Sequence, residues 1–251
     1  MHNRSLKDDI RDYWAERSQT YDASPGHGLG PRRAEWQALL SRHLGPAEGR
    51  QALDLGCGTG EITLLLQALG FATTGLDMTP QMLDCARAKA RGLPVRFIEA
   101  DAALTMLPDA STDVIVARYL FWTLTDPAAA LADWHRILRP GGTLLLIDGD
   151  HVTPPPLARL GPLMDRLLGK DPTAAHGLVT QAQWRAHAGI VARLPFRDGL
   201  RAQDLTVQLE KAGFATARRD TRIAALRPMG WRQRLLRLGT HRFAISARRA
   251  I

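Results

Sequence analysis

The feature that most constrains this chain is the glycine loop GCGTG (residues 56–60), which lies between a short apolar run and a helical one. The stretch ALDLGCGTGEITLLLQALGFATTGLDMTPQML (residues 52–83) predicts a strand, this loop, a helix and a second strand that ends at Asp77. Glycines directly after a strand allow a tight turn and let a ligand approach the backbone. The layout therefore predicts a crossover unit of the kind that binds nucleotides.

The same alternation continues along the chain. Strands are predicted at 51–56, 71–77, 95–100, 113–117 and 142–148, and helices at 60–69, 79–91 and 127–138, the last of them stopped by Gly141-Gly142. Strands that alternate with helices form a parallel sheet covered on both faces. Two further strands near 215–220 and 241–249 complete the prediction: an α/β fold with a doubly wound, mostly parallel, seven-stranded sheet.

Both ends of the regular pattern carry extra segments. Residues 6–18 and 31–44 have helical spacing and flank the loop YDASPGHGLG, whereas residues 149–200 begin with a proline-rich joint and continue into two predicted helices. We expect one domain, 1–251, made of a helical lid (1–45), a cofactor-binding core (46–148), a helical cap (149–200) and a C-terminal part of the sheet (201–251). Long insertions in compact domains are usually functional, so the lid and cap are expected to cover the ligand.

Composition excludes some classes of protein. The first residues lack the apolar core of a signal peptide, and the longest apolar runs fall far short of the roughly 20 residues that a membrane span needs. The two cysteines, Cys57 and Cys85, form no disulfide or metal pattern. We therefore expect a cytoplasmic protein without a metal and without a membrane partner.

The net charge of +8 is unevenly distributed. Residues 1–150 carry 15 basic and 19 acidic side chains, whereas residues 151–251 carry 18 and 6. Only four of the 33 basic residues are lysines, an arginine bias that weakens any argument for nucleic acid from charge alone. The basic second part favours an anionic small molecule as a partner.

Two carboxylates bracket the glycine loop and narrow the choice of nucleotide. Asp54 precedes it and Glu61 follows it, and each would repel a phosphate by about 1 kcal/mol or more at a partly shielded site. A ligand with positive charge and no phosphate resolves this conflict. S-adenosylmethionine is such a ligand: its ammonium suits the acidic loop, and its ribose hydroxyls suit Asp77.

The motifs LDLGCGTG, GLD, EADAALTMLPDASTDVIVAR and ILRPGGTLLLID resemble those of the class I S-adenosylmethionine-dependent methyltransferases that act on small molecules. The resemblance covers about residues 50–150. It implies S-adenosylmethionine as the cofactor, and it implies transfer of its methyl group to a small-molecule acceptor. The cofactor-binding residues that it implies are Asp54, Gly56, Cys57, Gly58, Gly60, Asp77, Met78, Asp101, Ala102 and Arg118.

Candidates for acceptor binding and catalysis lie in the loops around this core. Tyr21, His27, Tyr119 and Asp150 are candidates for the substrate site, and His151 and Tyr21 for a catalytic role. Methyl transfer from a sulfonium mainly needs alignment and exclusion of water, and a base only where the acceptor keeps its proton. Thr123 stands where related sequences often carry a histidine after the fourth strand, so no role of that histidine is transferred.

Two other functions stay open at this level. The stretch RRDTRIAALRPMGWRQRLLRLGTHR (residues 218–242) suggests an RNA methyltransferase, but no RNA-binding module or aromatic-rich basic stripe accompanies it. The chain could also be a non-catalytic protein that binds S-adenosylmethionine. Nucleic acid is not expected as a partner, and the acceptor and the oligomeric state are left open.

Overall fold

The computed structural model describes residues 4–24, 27–167, 179–221, 223, 235 and 240–251. The helices are α1 (Leu6–Arg17), α2 (Arg33–Leu44), α3 (Glu61–Ala68), α4 (Pro80–Lys89), α5 (Pro127–Ile137), α6 (Gly161–Leu167), α7 (Gln181–Val191) and α8 (Ala202–Lys211). The strands are β1 (Gln51–Leu55), β2 (Ala72–Asp77), β3 (Arg96–Glu99), β4 (Thr112–Arg118), β5 (Leu138–Gly149), β6 (Phe214–Asp220) and β7 (Arg242–Arg249).

The strands form one seven-stranded sheet in the order β3-β2-β1-β4-β5-β7-β6. The pairs from β3 to β5 are parallel, and β7 pairs antiparallel with both β5 and β6. This confirms the predicted doubly wound, mostly parallel sheet. The strand order reverses between β1 and β4, and ligands bind outside the carboxyl ends of the strands at such a point.

Helices cover both faces of the sheet, and the strands are apolar for that reason. In β4 the run 114–117 is fully buried, and so is the run 144–147 in β5. Trp134 and Phe121 fill the core on one face, and Trp36 and Leu40 fill the core on the other. The two cores fix the sheet edge at which the loops after β1, β2, β3 and β4 meet.

One predicted boundary is wrong. Gly141-Gly142 was expected to end the helix before β5, but α5 ends at Ile137 and both glycines belong to β5. Leu138 already pairs with Thr112 of β4, and the register then shifts before Thr143 pairs with Val114. Pairing with the neighbouring strand therefore starts the strand earlier than the local sequence indicates.

Part of the predicted cap and of the basic stretch lies outside the described residues. The cap contains the 3₁₀ turn Pro156–Leu160, α6 and α7, and residues 168–178 between the two helices are not described. Most of the stretch 222–239, on which the RNA alternative rested, also falls outside. In the described part of the chain, no helix combines the length and apolarity needed to cross a membrane.

A buried histidine makes the stability of this fold depend on pH. The Nδ1 atom of His43 on α2 lies 3.0 Å from the Oγ atom of Ser246 on β7. Burial lowers the pKa of His43 to about 4, and the Arg218 guanidinium acts in the same direction. Because the unfolded chain binds this proton with a pKa near 6.5, the stabilising effect of the neutral ring is complete above that pH. It is lost as the pH falls towards 4.

We therefore expect the free energy of unfolding of the native protein to fall between pH 6.5 and pH 4, with His43 contributing about 1–3 kcal/mol of the loss. His43→Gln, which stays neutral, should remove this contribution and flatten the pH profile. Urea unfolding of both proteins from pH 7 to pH 4.5 measures the difference. Parallel profiles would contradict this expectation, because they would show that His43 takes up a proton as readily in the folded state as in the unfolded state.

Candidate active site

A cleft opens at the carboxyl ends of the parallel strands and encloses about 790 Å³, part of it open to solvent. Its lining residues come from the N-terminal segment, the glycine loop and the exits of β2, β3 and β4. They are Lys7, Ile10, Trp14, Tyr21, Gly56, Gly58, Asp77, Met78, Thr79, Met82, Asp101, Ala102, Ala103, Arg118, Tyr119, Leu120, Thr123, Leu124 and Thr125.

The glycine loop needs its glycines for two different reasons. Gly56 has a φ of +61°, which side chains rarely adopt, so its backbone conformation requires glycine, and a Cβ atom there would also displace the flexible end of the Leu120 side chain, 2.8 Å away. Gly60 has a φ of +84°, and a Cβ atom would lie 3.0 Å from Cβ of Ala86 on α4. Gly56 therefore borders the cleft, whereas Gly60 lets α4 pack closely behind it.

Asp77 joins the ends of β1 and β2. Its Oδ2 atom accepts a hydrogen bond from the Gly58 N–H (2.8 Å), and its Oδ1 atom accepts one from the Thr79 N–H (2.9 Å). Burial raises the pKa of this carboxyl, while the hydrogen bond from Gly58 opposes that rise. Each carboxylate oxygen keeps acceptor capacity, because each has two lone pairs.

Asp101 follows β3 and is engaged from two sides. Its Oδ1 atom accepts from the Ala103 N–H (2.8 Å), and its Oδ2 atom forms an ion pair with Lys7 of α1. The carbonyl of Ala102 accepts from the Trp134 indole (2.7 Å), which fixes this turn against α5. The ion pair with Lys7 brings α1 across this end of the cleft.

A second, smaller cavity of about 260 Å³ lies on the other side of the glycine loop, and Asp54 and Arg118 both line it. The Thr63 hydroxyl donates to Oδ2 of Asp54 (2.5 Å). Burial raises the pKa of the Asp54 carboxyl to about 7. Asp54 is thus partly protonated at neutral pH, and a cation nearby would favour its ionised form.

Arg118 lines both cavities and is only 8% exposed. Its Nη2 donates to the His27 carbonyl (2.8 Å), and its guanidinium lies over the rings of Trp36 and Tyr119 at 5.3 and 5.1 Å. Its Nη1 is buried and has no hydrogen-bond partner among the described residues. A buried guanidinium nitrogen without an acceptor is costly, and an anionic ligand would relieve that cost.

Ionic contacts hold the N-terminal segment against the glycine loop. Asp22 accepts from the Thr59 hydroxyl (2.6 Å) and from Lys89 Nζ (2.8 Å). Lys89 also bonds Glu61 (2.9 Å), whose second oxygen accepts from the Leu29 N–H (3.2 Å). Lys89 is shared by Glu61 and Asp22, so it offsets only part of the negative charge that these carboxylates bring to the glycine loop.

Tyrosine side chains enter the cleft from opposite walls. Tyr21 lies against the glycine loop, and burial raises the pKa of its hydroxyl to about 12. Tyr119, directly after β4, has a φ of +61°, which is unusual for a bulky residue and costs roughly 1–3 kcal/mol. Its ring lies between the guanidiniums of Arg118 and Arg242, at 5.1 and 5.3 Å. Strain of this kind persists where surrounding contacts hold it, and here those contacts direct the ring into the cleft.

His151 and Asp150 lie beside the cleft and do not line either cavity. The Nε2 atom of His151 is 3.0 Å from Oδ1 of Asp148, and Nη1 of Arg242 lies 2.9 Å from its Nδ1. Asp150 accepts from the N–H groups of Val152 (2.9 Å) and Thr153 (2.8 Å). In this arrangement both ring nitrogens of His151 are engaged, and Asp150 orders the loop after β5.

The structure thus brings many of the sequence-predicted site residues to the two cavities and leaves others outside. Gly56, Gly58, Asp77, Met78, Asp101, Ala102, Arg118, Tyr21 and Tyr119 line the cleft, and Asp54 and Cys57 line the smaller cavity. Gly60, His27, Asp150 and His151 line neither.

The α1 face of the cleft was missed. Lys7, Ile10 and Trp14 follow one another at spacings of three and four residues, so they lie on one face of α1 and enter the cleft together. That spacing was available in the sequence. The spacing predicts that these residues share one face of α1, but it does not reveal which part of the protein that face packs against.

Comparisons with known proteins agree with this geometry. The sequence model of a family described as methyltransferase domain matches residues 53–146. A demethylmenaquinone methyltransferase of Thermus thermophilus is 40% identical over 116 residues, 45% of this chain and 51% of the relative. The chain thus spans about half the length of that relative. The enzyme of the same name from Tropheryma whipplei is 28% identical over 217 residues, 82% of this chain and 83% of the relative.

Among solved structures, phosphoethanolamine N-methyltransferase 2 of Haemonchus contortus superposes with a TM-score of 0.67 at 15% identity. The match covers 99% of this chain and 61% of that one. The sheet topology and this superposition define the fold as Rossmann-like. Within this fold, residues 53–146 are similar to the methyltransferase domain family.

Proposed function

We propose that this protein transfers the methyl group of S-adenosylmethionine to a small apolar acceptor that enters the cleft between Trp14, Tyr21 and Tyr119. The proposal rests on the observation that charged and aromatic side chains occupy different parts of the cleft. Charged side chains gather at the glycine loop and the strand ends, whereas aromatic side chains form the wall towards the N-terminal segment. Such a cleft suits a polar cofactor and an apolar second molecule.

The cofactor fits the residues present at the adenosine end. Asp77 retains acceptor capacity on both oxygens and would accept from the ribose hydroxyls. Asp101 would accept from the adenine amino group through the lone pairs that Lys7 and Ala103 do not use. Met78 and Ala102 would lie beside the adenine ring. The Lys7 ion pair would then hold α1 over the bound adenine.

The methionine end is proposed to lie where the two cavities meet the glycine loop. Asp54 would pair with the ammonium, and the unpartnered Nη1 of Arg118 would donate to the carboxylate. Gly56, Cys57, Gly58 and Gly60 would let the backbone approach this end. The opposite charges of Asp54 and Arg118 face one cavity without forming an ion pair with each other, which suits a zwitterionic ligand.

The cofactor supplies an already activated methyl group when bound, so the protein mainly has to align the acceptor and exclude water. Tyr21 keeps its proton at neutral pH, because the pKa of its buried hydroxyl is about 12, and it would act as a hydrogen-bond donor. His151, with both ring nitrogens engaged, would hold the wall beside Tyr119. Alignment by the walls of the cleft is therefore the proposed source of catalysis.

The acceptor is proposed to be a flat, apolar ring that carries a weakly acidic hydroxyl, and a reduced quinone heads the set to be tested. Two relatives are named for demethylmenaquinone, whose ring is a 1,4-naphthoquinone. The guanidiniums of Arg118 and Arg242 flank Tyr119 and would favour an acceptor with a developing negative charge on oxygen. His27, whose ring lies 4.4 Å from that of Tyr21, would close the other side of the acceptor.

The proposal is tested by measuring production of S-adenosylhomocysteine with a panel of acceptors. The panel contains 1,4-dihydroxynaphthalene, a reduced benzoquinone, a malonyl thioester, phosphoethanolamine and bulk tRNA. Turnover of a quinol and none of tRNA is expected. Turnover of tRNA alone would favour RNA, and binding of S-adenosylhomocysteine without any turnover would favour a non-catalytic sensor. Calorimetry should also show tighter binding of S-adenosylhomocysteine than of NAD or ATP.

Asp77→Ala is expected to weaken binding of S-adenosylhomocysteine at least about tenfold, because a charged acceptor for two hydroxyls is lost. The free protein should also lose roughly 1–3 kcal/mol of stability, because the N–H groups of Gly58 and Thr79 lose their acceptor. Calorimetry and urea unfolding measure the two effects. An unchanged dissociation constant would show that the ribose is held elsewhere.

Binding should also depend on pH through Asp54. Because the pKa of its carboxyl is about 7 in the free protein, an ammonium ligand must displace a proton below that pH. The dissociation constant of S-adenosylhomocysteine is expected to rise by up to about tenfold from pH 8 to pH 6. Asp54→Asn should bind more weakly and with a flat profile over this range. An equal slope in the variant would assign the proton to another group.

A further inference from the structure

Helix α7 of the insertion packs on α1 of the N-terminal segment. Just beyond its end, Arg193 donates to Asp9 of α1 (2.6 Å). The ring of His187 on α7 lies 5.4 Å from the ring of Tyr13 on α1 and 5.8 Å from the ring of Trp122 after β4, measured between centroids. One side chain thus connects the insertion to both walls beside the cleft.

From Tyr13, ring contacts continue through the N-terminal segment. Its centroid lies 5.0 Å from that of Trp14, which lies 5.8 Å from Tyr21, which lies 4.4 Å from His27. Trp14 and Tyr21 both line the cleft. These ring contacts therefore reach the part of the cleft in which the acceptor is proposed to bind.

From Trp122, ring contacts continue along the strand exits. His151 stacks on Trp122 at 4.8 Å with an interplanar angle of 16°, and its ring lies 5.2 Å from that of Tyr119. Tyr119 lies 6.5 Å from His27, where the two halves meet. The contacts therefore form a closed aromatic circuit, and His187 is the member that α7 contributes.

We propose that His187 is a specificity-determining residue that closes this circuit and makes the acceptor end of the cleft selective for a planar ring. The proposal rests on the methyl-transfer function proposed above. Flat rings fit best between aromatic faces and edges, and a gap between Tyr13 and Trp122 would admit water and bulkier acceptors.

The environment of His187 keeps its ring an uncharged aromatic partner. Burial lowers the pKa of His187, and the nearby Arg17 guanidinium acts in the same direction. Arg17 is itself buried and donates to the Thr20 and Ser24 hydroxyls. At neutral pH the imidazole therefore meets Tyr13 and Trp122 as a neutral ring, and phenylalanine should replace it.

The test measures binding of 1,4-dihydroxynaphthalene, without oxygen, to protein saturated with S-adenosylhomocysteine. His187→Ala and His187→Leu are expected to raise the dissociation constant of this probe at least fivefold, whereas His187→Phe keeps it within twofold. Trp184→Ala is the matched control: Trp184 lies on the same helix, half exposed, with its ring 6.3 Å from that of His187, so this change removes a neighbour of His187 and leaves the circuit itself intact. It should also stay within twofold, and all variants should bind S-adenosylhomocysteine like the native protein.

Equal probe binding by His187→Ala or His187→Leu and the native protein would overturn the inference. So would an effect of Trp184→Ala as large as that of His187→Ala, since helix packing alone would then explain both. Failure of the native protein to bind the probe also overturns it. Failure of the native protein to bind S-adenosylhomocysteine would instead overturn the proposed function, so the two failures are distinguishable.

Discussion

The site depends on one buried carboxylate that fastens two loops together. Asp77 ends β2 and accepts the Gly58 N–H of the loop after β1, so the glycine loop and the β2 exit keep a fixed separation. The same side chain accepts the Thr79 N–H at the start of α4. A residue that orders the backbone in this way is already positioned before any ligand arrives. A ligand that binds Asp77 then does not have to offset the entropy of ordering the loop.

Ion pairs hold the N-terminal segment in addition to apolar contacts, which bury Ile10 and Leu29 in the two cores. Lys89 of α4 bridges Asp22 and Glu61, and Lys7 reaches Asp101 on the far side of the cleft. Exposed ion pairs of this kind are individually weak and are screened by salt. These ion pairs therefore add to the apolar contacts of the segment, and salt is expected to weaken the ion pairs first.

The sequence was sufficient for the sheet and for the residues at its carboxyl edge. The alternation of strands and helices, the glycine loop and the terminal Asp77 each reflect local chemistry, which is why these predictions agree with the structure. The start of β5 was missed because pairing with β4 overrides two glycines. The pairing of Glu61 with Lys89 and the engagement of Asp150 by its own loop were also missed, because charges far apart in the chain, or a turn of one loop, decide which contacts a carboxylate makes. Tyr119 was named from the sequence as a candidate for the substrate site, but the strained backbone of this residue was not predicted, since a positive φ cannot be read from a sequence.

The position of β7 has a consequence for how the chain folds. β6 pairs with the rest of the sheet through β7, which lies between β5 and β6 although it follows both in the chain. Until residues 242–249 insert, β5 keeps an open, apolar edge, and α8 with β6 has no strand to join. Open edges of this kind are sites of pairing between molecules. Pairing of β7 with β5 is thus what attaches β6 to the sheet, so the last described strand of the chain secures an element that precedes it in the sequence.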